Sequence, residues 1–171
     1  MKRTFSFIAI VMLFAGCASM STSGPSAVAD LAPTKDSKAA GTVTFTQKGD
    51  KVVVQAKVSG LAPGTHGFHI HEKGDCSSGD GMSAGGHFNP LGKPHSYATV
   101  EDRHAGDMPM LAADAAGNAV MTAELDVITI GRGATDIIGK AVIVHKDGDD
   151  FKTQPTGNAG ARVACGVIRK S

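Results

Sequence analysis

The chain has no tryptophan and only one tyrosine among its 171 residues. Flat aromatic platforms on which nucleic-acid bases stack are therefore scarce. Charge of one sign is missing too: 17 Lys and Arg stand against 16 Asp and Glu. With Lys2 and Arg3 at the extreme N-terminus set aside, acidic residues outnumber basic ones by one. Nothing in that balance draws the chain to nucleic acid, and no such partner is expected. A sustained 3.6-residue apolar period is also absent, which argues against a helical fold. Cysteines are few, at three. The most apolar stretch, 5–14, is too short for a comfortable membrane span.

That stretch has instead the layout of an export leader. Lys2 and Arg3 precede it, and the small Ala15 and Gly16 follow, leading into Cys17. The arrangement resembles a bacterial lipoprotein signal, cut before the cysteine, which then carries lipid. Residues 1–16 are read as the leader, 17–26 as the lipidated cysteine and a flexible tether, and 27–171 as one domain. The tether, ASMSTSGPS after Cys17, is small and polar. Ala18 behind the cysteine, where an aspartate would favour the inner membrane, implies the outer membrane of a Gram-negative cell. The domain would then lie in the periplasm, touching the membrane only through the anchor on Cys17. Cys76 and Cys165 remain, an even pair in a compartment that oxidises thiols.

What the domain does contain is a series of short alternating stretches. In GTVTFTQKGDKVVVQAKV, Val43 and Phe45 alternate with Thr42, Thr44 and Thr46, and Lys48-Gly49-Asp50 turns into Val52–Val54. LAADAAGNAVMTAEL repeats the scheme, with Gly117-Asn118 as the turn between two arms. Further strands are expected at 67–73, 141–145 and 163–168. Two long stretches rich in Gly, Asp, Ser and Pro, 74–103 and 146–161, separate them. Loops of that length without structure are usually functional or disordered. The expected fold is all-β, an antiparallel sandwich or barrel with its site on the loops.

The site is signalled by seven histidines: His66, His69, His71, His87, His95, His104 and His145. His69 and His71 stand two apart on an expected strand, so both project from one face. Imidazole suits copper and zinc, and a carboxylate such as Asp107 can complete a zinc tetrahedron. A His-rich site for more than one ion follows.

The motifs GFHIHEKGDC, GGHFNP, HAGD, IVH and GNAGARVACGVI, in that order, resemble those of copper/zinc superoxide dismutases. The likeness runs from about residue 26 to the C-terminus. It implies a Greek-key β-sandwich or flattened barrel of immunoglobulin-like form with two long functional loops. It implies one copper and one zinc per subunit, with superoxide as substrate. Copper ligands would be His69, His71, His87 and His145; zinc ligands would be His87, His95, His104 and Asp107. His87 would bridge the two ions and carry a proton. Arg162 would attract the small anion beside copper, and Asp149 would link a copper-ligand histidine to a zinc-ligand one. Asp147 and Asp150 are near enough in sequence to compete for that last role. Cys76 and Cys165 match the family disulfide. His66 matches a structural position, and Met108 and Met110 read as packing residues.

Departures from the family pattern bear on steering and assembly. The 146–161 loop is short and lacks a glutamate pair, leaving Lys146 and Lys152 as candidate steering groups. The 77–86 segment resembles the bacterial branch, in which both homodimers and monomers occur. A copper-delivery protein on the same fold is the competing reading. Such relatives lose a copper ligand or the arginine, and this chain has them all.

Overall fold

The computed structural model describes residues 24–171. The leader, Cys17 and most of the expected tether lie outside the described residues. Ten strands carry the fold: β1 (Ser26–Pro33), β2 (Ala40–Lys48), β3 (Lys51–Ser59), β4 (Gly64–His66), β5 (Phe68–His71), β6 (Leu111–Ala113), β7 (Ala119–Leu125), β8 (Ala141–His145), β9 (Arg162–Val167) and β10 (Arg169–Lys170). Among the described residues the only helical element is a single 3₁₀ turn, Met82–Ala84. The fold is all-β and antiparallel, curled into a flattened half-barrel, as expected.

β2 and β3 show why these residues make strands. Val43 and Phe45 on β2, and Val52, Val54, Ala56 and Val58 on β3, are buried at every second position. The intervening threonines, Gln55 and Lys57 face outward, the period of two that a half-buried sheet requires. Lys48 pairs with Lys51, so Gly49-Asp50 is a two-residue hairpin turn. Gly49 has φ 62°, a left-handed conformation that glycine adopts without a Cβ clash. Gln47, though polar, is buried; its amide donates to the Gly49 and Lys51 carbonyls and accepts from Ile130 N–H.

The strand order is β5-β8-β9-β1-β2-β3-β7. β1 joins the two halves: Ser26 to Leu31 pair with β2, then Ala32 and Pro33 pair with β9. β10 lies along the start of β1. The apolar core fills the space between the halves, with Phe45, Phe68, Ile70, Met108, Leu111, Ile128, Ile137 and Ile168 at 2% exposure or less. Full burial of a side chain such as Phe45 or Ile70 is worth roughly 1.5–3 kcal/mol. Met108 packs in this core, as read from the sequence.

Three features depart from the sequence reading. β1 was not expected, because its inward residues include Ala27 and Ala29, whose small apolar surface leaves a faint alternation. The arms around Gly117-Asn118 exist, but they are not paired in one ladder: β6 pairs with β4 and β7 with β3. Finally, 126–140 is a third long connection, which buries Ile128, Ile130 and Ile137 in the core and donates Ile130 N–H to Gln47 of β2.

Candidate metal centre

β5 is buried at all four positions. Phe68 and Ile70 enter the apolar core, while His69 and His71 project from the opposite face. That second face is covered by the long loop after β5. Ile70 N–H donates to Gly106 O and Phe88 N–H to Ile70 O, and Glu72 N–H donates to Gly86 O. The loop thereby caps the free edge of β5, and bridges set His69 opposite Asp107 and His71 opposite His87. β8 ends at His145, where a bulge shifts the register after Val144 and sets His145 across from Arg162. A bulge is the usual device for re-aiming a side chain at a site.

Four histidines from these three segments converge. One ring nitrogen each of His69, His71, His87 and His145 lies within 4.8 Å of the others. The rings of His69 and His87 stack at 4.0 Å, and His71 and His145 each lie within 5.6 Å of neighbours in the group. In every ring one nitrogen is engaged. His69 Nε2 donates to Asp149 Oδ2 at 2.6 Å and His71 Nδ1 to Gly85 O at 2.9 Å. His87 Nδ1 faces Asp107 Oδ1 at 3.2 Å, and His145 Nδ1 donates to Gly160 O at 3.2 Å.

The other nitrogens, His69 Nδ1, His71 Nε2, His87 Nε2 and His145 Nε2, are buried without a hydrogen-bond partner. Among the described residues one other buried side-chain atom shares that condition, Arg103 Nε. An unpaired buried acceptor is costly, so four in one place fit a donor set for a cation.

A second cluster shares His87. His95 Nδ1 faces Asp107 Oδ1 at 2.9 Å, and His104 Nδ1 lies 3.4 Å from His87 Nδ1 and 3.6 Å from Asp107 Oδ1. His69 also lies within 4.8 Å of His87, His95 and Asp107. Its Nε2 is committed to Asp149 and its Nδ1 belongs to the first group; His104 Nδ1, close to His87 and Asp107, is a further nitrogen beside this group. Three nitrogens and one carboxylate oxygen form a donor set typical of zinc.

Residues 39–168 match the family described as copper/zinc superoxide dismutase (SODC). The chain belongs to the copper/zinc superoxide dismutase family. It is also similar to the crystal structure of the clock protein EA4, at 42% identity and a TM-score of 0.78, over 86% of this chain and 96% of that one. Membership implies copper and zinc as the metals, and the two clusters fit both in donor chemistry.

The electrostatics of a superoxide dismutase site follow from burial and pairing. Burial lowers His69 to about 4 against its hydrogen bond with Asp149. Burial, aided by neighbouring His69, lowers His145 to about 3, and burial also holds His71 well below its ordinary value. All three are neutral near pH 7, the form that ligates a metal. For Asp107 burial pushes upward, but hydrogen bonds from His87 and His95 outweigh it and hold the carboxyl below its usual range. Asp149 behaves likewise through His69 and His95. Burial lowers His95, yet its two carboxylate partners prevail and raise it to about 9.

Asp149, of the three nearby aspartates, spans the two clusters: Oδ2 accepts from His69 Nε2 and Oδ1 from His95 Nε2, at 2.6 and 2.9 Å. Asp150 instead caps its own turn through Lys152 and Thr153. Arg162 donates to Gly81 O at 2.7 Å and Gly85 O at 2.6 Å. Gly85 O also accepts from His71, so one carbonyl ties the guanidinium to a histidine of the first cluster. Cys76 and Cys165 form a disulfide, which fastens the covering loop to β9 three residues beyond Arg162. His66 turns both ring nitrogens to the backbone carbonyls of His145 and Ala62 at 2.8 Å, away from either cluster. Lys146 lines a small cavity with Ser37, Ala39, His66 and Val163, none of which belongs to a cluster.

Several contributors escaped sequence reasoning. A Cβ on Gly157 would lie 1.9 Å from Asp149 Oδ1 and 2.6 Å from His95 Nε2. With φ 67° as well, that position admits only glycine. Arg103, in the loop itself, is buried and donates to Val100 O and Asp126 Oδ1. Gln154 grips His95 by its backbone. A lone glycine, arginine or glutamine in a polar loop carries no signal of such a contact.

Proposed function

We propose that the protein is a superoxide dismutase of the cell envelope, converting two superoxide anions and two protons to dioxygen and hydrogen peroxide. The observation that carries this is the set of four buried ring nitrogens without partners, beside a fixed guanidinium. Copper would be held by His69, His71, His87 and His145, and zinc by His87, His95, His104 and Asp107. Copper supplies the one-electron redox chemistry that zinc lacks.

The residues do the rest. His87 leaves Nε2 unpaired in one cluster and turns Nδ1 to Asp107 in the other, so a single imidazole would serve both metals. Its Nε2 is the atom at which a proton is taken up and handed to reduced dioxygen. Asp149 holds His69 and His95 in fixed tautomers, which keeps ligand rings oriented. Arg162 attracts the anion and hydrogen-bonds it, its planar guanidinium held in place by two carbonyls. Lys146 and Lys152 remain candidates for steering.

The export reading belongs to the same proposal. Residues 1–16 would be removed, Cys17 lipidated, and the domain, 27–171, held on a short tether from the outer membrane in the periplasm. It would act there as a monomer or homodimer against extracytoplasmic superoxide. The Cys76–Cys165 disulfide is consistent with an oxidising compartment.

A superoxide-consumption assay on metal-loaded protein tests the activity. His145→Ala should abolish consumption, and Arg162→Ala should bind copper normally while consuming superoxide more slowly. Copper bound without superoxide consumption in the wild type would favour the copper-delivery reading. Radiolabelled lipid incorporated equally by Cys17→Ser would defeat the anchor.

A further inference from the structure

His95 sits in a long loop with no strand beside it, and neither of its backbone groups has a backbone partner. Both are nevertheless satisfied. His95 N–H donates to Gln154 Oε1 at 2.8 Å, and Gln154 Nε2 donates to His95 O at 2.8 Å. One side-chain amide thus closes a two-bond ring with one residue's main chain, as a neighbouring strand would, across 59 positions of sequence. Gln154 is exposed along its stem, but His95 is 2% exposed, so the amide meets a group that water reaches poorly.

The ring of His95 is held by others: Nδ1 by Asp107, Nε2 by Asp149, and one face stacked on Phe151, which stacks in turn on Tyr97. Those contacts set the tilt of the ring. Where the ring sits along the loop depends on the main chain; Gln154 holds both backbone groups of His95 itself, and Asp107 Oδ2 accepts from the following Ser96 N–H. A primary amide is the side chain that offers a donor and an acceptor at the spacing of a peptide's O and N. A carboxylate of the same shape keeps the acceptor and loses the donor. A thioether of the same length loses both.

We infer that Gln154 is a positioning residue for the second metal cluster, clamping the His95 main chain so that its ring nitrogen is directed at the ion. This rests on the reading of His95 as a zinc ligand. Gln154 does not touch the metal; it acts through His95. It also docks the 146–161 loop, which carries Asp149, onto the loop that carries His87, His95 and His104.

The test compares wild type, Gln154→Met, Gln154→Glu and His95→Ala as full-length, metal-loaded proteins. Zinc release to a chromogenic chelator is timed, and the visible bands of cobalt substituted for zinc are recorded beside thermal melts. Gln154→Met should release zinc about ten-fold faster or more, the scale seen when a group supporting a ligand is removed, and should move the cobalt bands. Gln154→Glu, nearly isosteric, should fall between it and wild type. A Gln154→Met protein that releases zinc at the wild-type rate with unshifted cobalt bands overturns the inference. So does one that melts lower while its cobalt bands stay put, since that is a merely structural role. His95→Ala reports on the underlying ligand reading: if it holds zinc as well as wild type does, that reading fails and the inference with it.

Discussion

The two halves of the barrel bury their residues differently. In β2, β3 and β7 burial alternates along the strand, with an apolar inner face and an outer face of threonines, Gln55, Lys57 and Glu124 open to solvent. β5 and β8 are buried at every position. One face of those strands meets the same apolar core, and on β5 the other face carries His69 and His71 beneath the loop. The wet sheet needs only the hydrophobic effect to fix its register. The doubly buried sheet must also find a partner for each polar atom it hides, because an unpaired one is costly. The loops supply those partners, and four ring nitrogens are left over. The candidate metal centre occupies the half where polar groups are buried, and a cation would complete the pairing there.

The largest expected effect comes from removing the imidazole that the two clusters share. His87→Ala should drop superoxide consumption to background and lower both copper and zinc content, read by elemental analysis of the purified protein. Next is the opposite face of the same strand. Phe68→Ala leaves the ligands in place but opens a cavity in the core, and denaturant unfolding should show a loss of about 3–5 kcal/mol. Cys165→Ser detaches the covering loop from β9, with an expected loss of about 2–4 kcal/mol by the same measurement. Gly157→Ala thrusts a methyl group at Asp149 and His95. Metal affinity in chelator competition should fall about 10–100-fold as the link between the clusters is displaced. Smallest of all, Thr44→Val on the wet face should leave stability within about 0.5 kcal/mol and activity unchanged. A Thr44→Val protein that lost metal would erase the distinction between the halves.

How far this was legible in the sequence differs by residue for physical reasons. His69, His71, His87, His145 and Arg162 stand in short motifs whose types and order are specific, so the geometry had few surprises to add. β2 and β3 were legible because Val and Phe alternate strongly with Thr and Lys. β1 was not, since burying Ala27 and Ala29 removes little apolar surface and leaves little pattern. The partners of β6 and β7 were misjudged because a glycine turn shows that the chain reverses, not which strands the arms will join. Gln154 and Gly157 act through contacts 59 and 8 residues away, on His95 and Asp149, and no local spacing encodes such a meeting.

β1 passes from one half to the other, and β10 lies along its beginning. The family similarity spans 39–168 and so leaves both strands outside. A fragment trimmed to those limits would keep every proposed ligand and yet lack the seam of the barrel. It would expose the edges of β2 and β9 to other chains, a template for aggregation. The folded module is therefore wider than the stretch the family match spans, and its two ends leave from the same place, where Ser26 and Ser171 meet.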